Sequence, residues 1–252
     1  MMIKVGFVGE EGRYVPFSLD LRKYPHILVC GKSGSGKGIL ILYCINSVLQ
    51  SNEFALYIGD PKNSGDFEGL ADHYSVGEEV ANLITAVYER YIQIKKDKTG
   101  ERILLIVDEY PSFILNLENL DKKKAAVIKN MIAELLMQGR SLPGGGSVAV
   151  WLVAQRMDAL YLPSGSRMNA MVSVGLGRLD AQSKAMLFPG EELPEYEPTT
   201  GTGLILADGY PLRILKVPEI DNLERFRKLL QKKARRRNGG YAEPKPGEGL
   251  IT

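Results

Sequence analysis

The sequence predicts an α/β fold, a mainly parallel β-sheet flanked by helices with a hairpin near each end. Three observations carry this expectation. Residues 25–31, Pro-His-Ile-Leu-Val-Cys-Gly, form an apolar run that enters a glycine-rich loop and leaves it as the apolar helical segment Ile39–Ile45. Residues 102–109, Arg-Ile-Leu-Leu-Ile-Val-Asp-Glu, are almost continuously apolar and end in two carboxylates, the composition of a strand buried on both faces. Further apolar strands alternate with segments of helical period, the pattern of parallel strands joined by crossover helices.

In chain order, residues 3–8 and 13–19 read as two strands around the turn Gly9-Glu10-Glu11-Gly12. The strand at 27–31 follows, and then a strand at 54–60 that ends in Asp60-Pro61-Lys62. Val80, Leu83, Ile84, Val87, Tyr91 and Ile94 recur at the helical period within 77–97, so one face of that helix is apolar. Residues 111–119 are a loop or short helix, 125–139 a helix ending at Gly139, and 143–146 a mobile glycine loop. Strands at 148–154 and 171–176 and a short helix at 181–187 precede an acidic loop at 191–202. A hairpin around Asp208-Gly209 closes the domain, expected to span residues 1–220.

The last element, residues 221–238, holds eight basic and two acidic side chains, while the whole chain carries only +2. Its apolar stripe, Leu223, Phe226, Leu229 and Leu230, leaves three readings open: a docked helix with a solvated outside, a nucleic-acid contact, or a membrane surface. The patch Lys122-Lys123-Lys124 is likewise a solvated face or a nucleic-acid contact. Residues 239–252 are polar and rich in Gly and Pro, the composition of a disordered tail.

Gly31-Lys32-Ser33-Gly34-Ser35-Gly36-Lys37-Gly38-Ile39 has the layout of a phosphate-binding P-loop, G-x-x-x-x-G-K. Glycines let backbone N–H groups turn inward around phosphates. The helix N-terminus adds partial positive charge, and Lys37 neutralises the outer phosphates. The expected ligands are ATP and Mg²⁺. One position departs from the pattern, because Gly38 stands where Ser or Thr would hold the metal. Asp108, at the end of the apolar strand, is the metal-binding carboxylate, and Glu109 is the residue that orients the attacking water.

Composition excludes several classes. No apolar run reaches the roughly 20 residues that a membrane span needs, and the N-terminus has no signal-peptide pattern. Cys30 and Cys44 are the only cysteines and read as small buried hydrophobes in a reducing compartment. With only His26 and His73, a histidine metal site is not expected. The expected location is the cytoplasm, with any membrane contact made through a partner.

The ordered motifs resemble the FtsK/SpoIIIE family of DNA translocases. The lead Pro25-His26-Ile27-Leu28-Val29 into the P-loop is similar to the family's, as is Asp60-Pro61-Lys62 at the next strand end. Gly139-Arg140 followed by Ala154-Gln155-Arg156, then Gly177-Arg178 through Leu187, then Thr202–Leu206 continue the match, so that it runs from about residue 5 to 217. The resemblance implies a RecA-like motor domain, related to type IV conjugative coupling proteins, that forms a ring, usually a hexamer, and moves double-stranded or transferred DNA in conjugation, packaging or segregation. It implies Gln155 as a sensor of the γ-phosphate, and Arg140 or Arg178 as an arginine supplied to a neighbour's site. A relaxase or membrane channel proteins would be further partners. Gly38 leaves open a second function, a nucleotide-binding adaptor with little or no turnover that recruits DNA or a relaxosome to a partner channel.

Overall fold

The computed structural model describes residues 1–163 and 165–237. Its elements are β1 (Met2–Glu10), β2 (Arg13–Asp20), β3 (Ile27–Gly31), α1 (Lys37–Val48), β4 (Ala55–Asp60), β5 (His73–Val76), α2 (Val80–Asp97), β6 (Arg102–Val107), α3 (Tyr110–Leu120), α4 (Lys122–Gln138), β7 (Ser147–Ala154), β8 (Val172–Leu176), α5 (Ala181–Leu187), β9 (Thr202–Ala207), β10 (Arg213–Lys216) and α6 (Leu223–Arg237). The strands form one sheet in the order β2-β1-β10-β9-β8-β3-β7-β6-β4-β5. From β8 to β5 every pairing is parallel, and from β2 to β8 every pairing is antiparallel. The two expected hairpins are therefore joined edge to edge and extend the parallel sheet.

Alternation along the central strands divides the core into two layers. In β7, Ala149, Trp151 and Val153 face the layer that holds α1 and the buried Leu230 and Ala234 of α6. Val148, Val150, Leu152 and Ala154 of the same strand face the layer of α2, α3, α4 and α5. Both cysteines are buried and free. Among the described residues, no helix is long and apolar enough to cross a membrane.

Several local expectations change. Residues 111–119 belong to a full helix, α3, which has Pro111 in its first turn where a missing N–H costs nothing. Helix α4 begins at Lys122, three residues earlier than its apolar period indicates, because the Asp121 carboxylate caps the N–H groups of Lys123 and Lys124 at 2.9 and 3.0 Å. The lysine patch is thus the first turn of a capped helix. The glycine loop at 143–146 is a packed turn: a Cβ on Gly144 would lie 2.2 Å from the Lys98 carbonyl oxygen. Strand β5 is an addition to the sheet, paired in parallel with β4. The expected tail at 239–252 lies outside the described residues.

Candidate functional site

The parallel strands deliver their carboxyl ends to one edge of the sheet, where α/β folds bind ligands. Strand β3 is central, between β7 and β8, and its exit is the P-loop. Gly36, with φ 100°, ends the turn and starts α1. Gly31 cannot carry a side chain, since a Cβ would meet Ser35 Oγ at 2.5 Å and the Leu176 carbonyl at 2.6 Å. Residues 200–201 brace the loop from outside, the Thr200 hydroxyl donating to the Gly34 carbonyl and the Gly201 N–H to that of Ser35.

Lys37 begins α1 and is largely buried. Its Nζ donates to the carbonyls of Gly31 at 2.6 Å and Lys32 at 3.2 Å. Burial lowers its pKa from the ordinary lysine value, and the charges of Glu109 and Asp108 oppose that shift. The two loop serines differ. Ser33 lines the cleft in front of the P-loop, whereas the Ser35 hydroxyl is buried beneath the loop with no hydrogen-bond partner. Gly38 lines the cleft too, and a Cβ there would meet nothing within 4 Å.

Strand β6 ends at the same edge. Burial, followed by the charge of Glu109, pushes the Asp108 carboxyl up to about 6. Glu109 adopts the left-handed conformation, φ 46° and ψ 38°, which non-glycine residues enter at a cost of about 1–2 kcal/mol. That conformation stops the strand and starts α3 in one residue. The Glu109 side chain is almost buried; its Oε1 accepts a hydrogen bond from Gln155 Nε2 at 2.9 Å and forms an ion pair with Lys62 Nζ at 3.0 Å. Three adjacent strand ends, those of β4, β6 and β7, thus supply Lys62, Glu109 and Gln155 to a single point.

These groups line a cleft of about 340 Å³. Lys37, Lys62, Asp108, Glu109 and Gln155 line it, together with Phe67, Leu223 and Arg227. A second cleft, of about 360 Å³ between α3 and the turn after β5, has Glu78 as its charged lining residue, and Glu109 and Gln155 also line a third, of about 260 Å³, with Arg156 and Asp158.

The candidate arginines are separated. Arg178 follows β8 and is exposed on the P-loop edge of the sheet. Arg140 is exposed at the opposite edge, next to Gly139, whose carbonyl accepts from the N–H of Val148 at the start of β7. Its charge adds to burial in holding His26, at the start of β3, down to about 3.

Three residues that line the cleft, Lys62, Leu223 and Arg227, carry no site signal in the sequence. Lys62 stood in the Asp-Pro-Lys motif with no role attached. Arg227 and Leu223 were hidden in the basic terminal helix. That helix docks: Leu230 and Ala234 are buried, Lys233 Nζ donates to Asn46 at 2.6 Å, Gln231 to the Glu68 carbonyl at 2.9 Å, and Arg227 pairs with Asp66. Arg237 pairs with Asp72 at 3.2 Å, and the other cations, Arg225, Lys228, Lys232, Arg235 and Arg236, are exposed, spaced along one side of the helix.

The fold and cleft define a P-loop ATPase-type α/β domain. Residues 2–97 match the model of the FtsK/SpoIIIE family. It is 29% identical over 205 residues to the FtsK domain-containing protein YdcQ of Bacillus subtilis, covering 72% of this chain and 41% of that one. It is 25% identical over 154 residues to the DNA translocase FtsK of Staphylococcus epidermidis, covering 54% of this chain and 19% of that one. The chain thus spans less than half the length of these curated relatives. Among solved structures, the pCW3 conjugation coupling protein TcpA with ATPγS aligns over 90% of this chain and 70% of its own, with TM-score 0.69 and 17% identity. ATPases 2 and 3 of EssC from Geobacillus thermodenitrificans align over 94% of this chain and 48% of their own, with TM-score 0.70 and 14% identity. At these identities the structural likeness concerns the fold.

Proposed function

We propose that this chain is an ATP-hydrolysing DNA motor domain of the FtsK/coupling-protein type, working as a ring, usually a hexamer, on double-stranded or transferred DNA. The observation that carries the reading is the convergence of Lys37, Glu109 and Gln155 on one cleft at the P-loop edge. Hydrolysis places a water in line with the γ-phosphate, and catalysis comes from positioning and electrostatics. Lys37 exchanges its two carbonyl partners for phosphate oxygens. The P-loop amides and the N-terminus of α1 take the remaining phosphate charge. Glu109 accepts a hydrogen bond from the water and aligns it, and Gln155, already bonded to Glu109, reports the γ-phosphate.

The donor set fits a loosely held Mg²⁺. Asp108 is a cleft carboxylate, Ser33 of the P-loop lines the same cleft, and Mg²⁺ keeps several of its waters in such sites. The ion would neutralise phosphate charge when bound. Arg178 and Arg140 remain the candidates for an arginine supplied to a neighbouring subunit, and alanine at each, assayed in the assembled ring, separates them.

Gly38 favours a second reading, a nucleotide-binding adaptor with little turnover that recruits DNA or a relaxosome to a partner channel. Steady-state ATPase with and without duplex DNA, combined with particle size under ATP, decides between the two. DNA-stimulated turnover by a ring establishes the motor. Nucleotide binding without turnover establishes the adaptor.

A further inference from the structure

We propose that Lys62 is a positioning residue that exchanges partners: it holds Glu109 while the cleft is empty and transfers to the γ-phosphate when ATP enters. The inference rests on the reading of the cleft as an ATP site. Three features of the structure support it.

First, Lys62 Nζ lies 3.0 Å from Glu109 Oε1, the oxygen that also accepts from Gln155. With the Gln155 amide and the Lys62 ammonium on one oxygen, Glu109 is tied to groups that follow β7 and β4. A water-aligning carboxylate works best when its lone pairs are free for the water.

Second, the backbone that carries Lys62 is fixed while its side chain is not. Asp60 is fully buried, and its Oδ2 accepts from the Ser64 hydroxyl at 2.9 Å, the Gly65 N–H at 3.1 Å and the Tyr74 hydroxyl at 2.9 Å. The Asn63 N–H returns to the Asp60 carbonyl at 3.0 Å. These bonds pin the turn after β4. The Lys62 side chain itself is 48% exposed and lines the cleft, so it can swing at little cost.

Third, Lys37, Lys62 and Arg227 are the cations that line the cleft, Arg227 is already paired with Asp66, and Gly38 supplies no hydroxyl to anchor a metal. A terminal phosphate carries more negative charge than one carboxylate, so it competes with Glu109 for the Lys62 ammonium. The transfer adds a cation beside the γ-phosphate and releases Glu109 in the same motion. ADP lacks the group that would draw Lys62 away.

The test compares ATPγS and ADP binding to the full chain as wild type, Lys62→Ala and Lys62→Arg, with thermal unfolding as a folding control. In Lys62→Ala, affinity for ATPγS falls about tenfold or more, the effect of losing one charge-assisted contact, while affinity for ADP changes less than about twofold. Lys62→Arg restores most of the ATPγS affinity, which a packing role would not do. Equal losses for both nucleotides, or no loss for either, overturn the partner exchange while leaving the ATP site standing. A wild-type chain that binds neither nucleotide overturns the ATP reading and this inference with it. A wild type that binds ATPγS without hydrolysing ATP moves the protein to the adaptor reading, and the comparison of the two nucleotides still decides the role of Lys62.

Discussion

Replacing Gly38 by serine tests the oddest feature of the P-loop. Serine is accommodated: a Cβ at this position has no neighbour within 4 Å, and the residue sits one position into α1 on the cleft wall. Two effects then add. In the helix, serine is more favourable than glycine by about 0.5 kcal/mol, so the variant should be no less stable than the parent. The hydroxyl also adds an oxygen facing the cleft that Asp108 lines. A bond between a neutral group and a charged one contributes about 1.5–3 kcal/mol. At about 1.4 kcal/mol per factor of ten, the Mg²⁺ concentration for half-maximal activity should fall by about one order of magnitude or somewhat more. ATP affinity should change less, because Lys37 and the loop amides are untouched. The assay is a Mg²⁺ titration of ATPase rate at saturating ATP, run side by side on parent and Gly38→Ser. A higher maximal rate and a lower midpoint are expected. An unchanged midpoint with an unchanged or lower rate would refute the reasoning and show that the site already replaces the hydroxyl by other means.

Four further outcomes are expected. Lys37→Ala should abolish ATP binding without unfolding the chain, since the ammonium it removes is buried against two carbonyls that the loop geometry holds in place; preserved affinity in a folded variant would discard the ATP site. Glu109→Gln should keep ATP bound and slow hydrolysis by about a hundredfold or more, and turnover within a few-fold of the parent would move the water-aligning role elsewhere. His26 is held at about 3 in the folded chain against an ordinary 6.5. Its folded pKa is depressed, so the unfolded chain takes up the proton first. The stability present above pH 6.5 is therefore lost as pH falls towards 3, by about 4 kcal/mol in all. His26→Asn keeps an acceptor for the Val150 N–H, which His26 Nδ1 meets at 3.2 Å, and should flatten that slope in denaturant titrations; an identical slope would clear His26. Reversing Arg225, Lys232, Arg235 and Arg236 to Glu should leave the thermal midpoint unchanged and reduce the log–log salt slope of duplex DNA binding by about 0.9 per lost phosphate contact, whereas equal slopes would make the stripe a solvated face. Deleting α6 is the poorer experiment, because it also uncovers the core around Leu230 and Ala234.

The P-loop and the Asp108 strand were legible because their signals are local. A buried parallel strand must be apolar on both faces, and a phosphate loop needs glycine where side chains would collide, as at Gly31. Other parts were illegible for physical reasons. Strand β5, His-Tyr-Ser-Val, is four half-exposed residues on the sheet edge, too short and too polar for a periodicity signal. Helix α3 starts from a left-handed glutamate, and no capping side chain announces it. Lys62 is one of 32 basic residues, and only the turn fixed by Asp60 aims it at Glu109. The basic composition of α6 pointed outward, but its inward residues, Arg227 among them, help line the cleft. What the sequence withheld was tertiary direction: which side of an element meets which neighbour.

The position of β3 has a consequence for the order in which the molecule can be built. Ile27 pairs with Trp151 on one side and Val172 on the other, so the strand that leads to the P-loop has no neighbour until long after it has left the ribosome. The first hairpin waits longer still, for β10, where Phe7 meets Lys216. Closing loops of that length before any pairing energy returns makes for slow assembly. A nascent chain stopped halfway would carry every residue of the glycine loop and no cradle, leaving nucleotide nothing to bind until the second half of the sheet arrives.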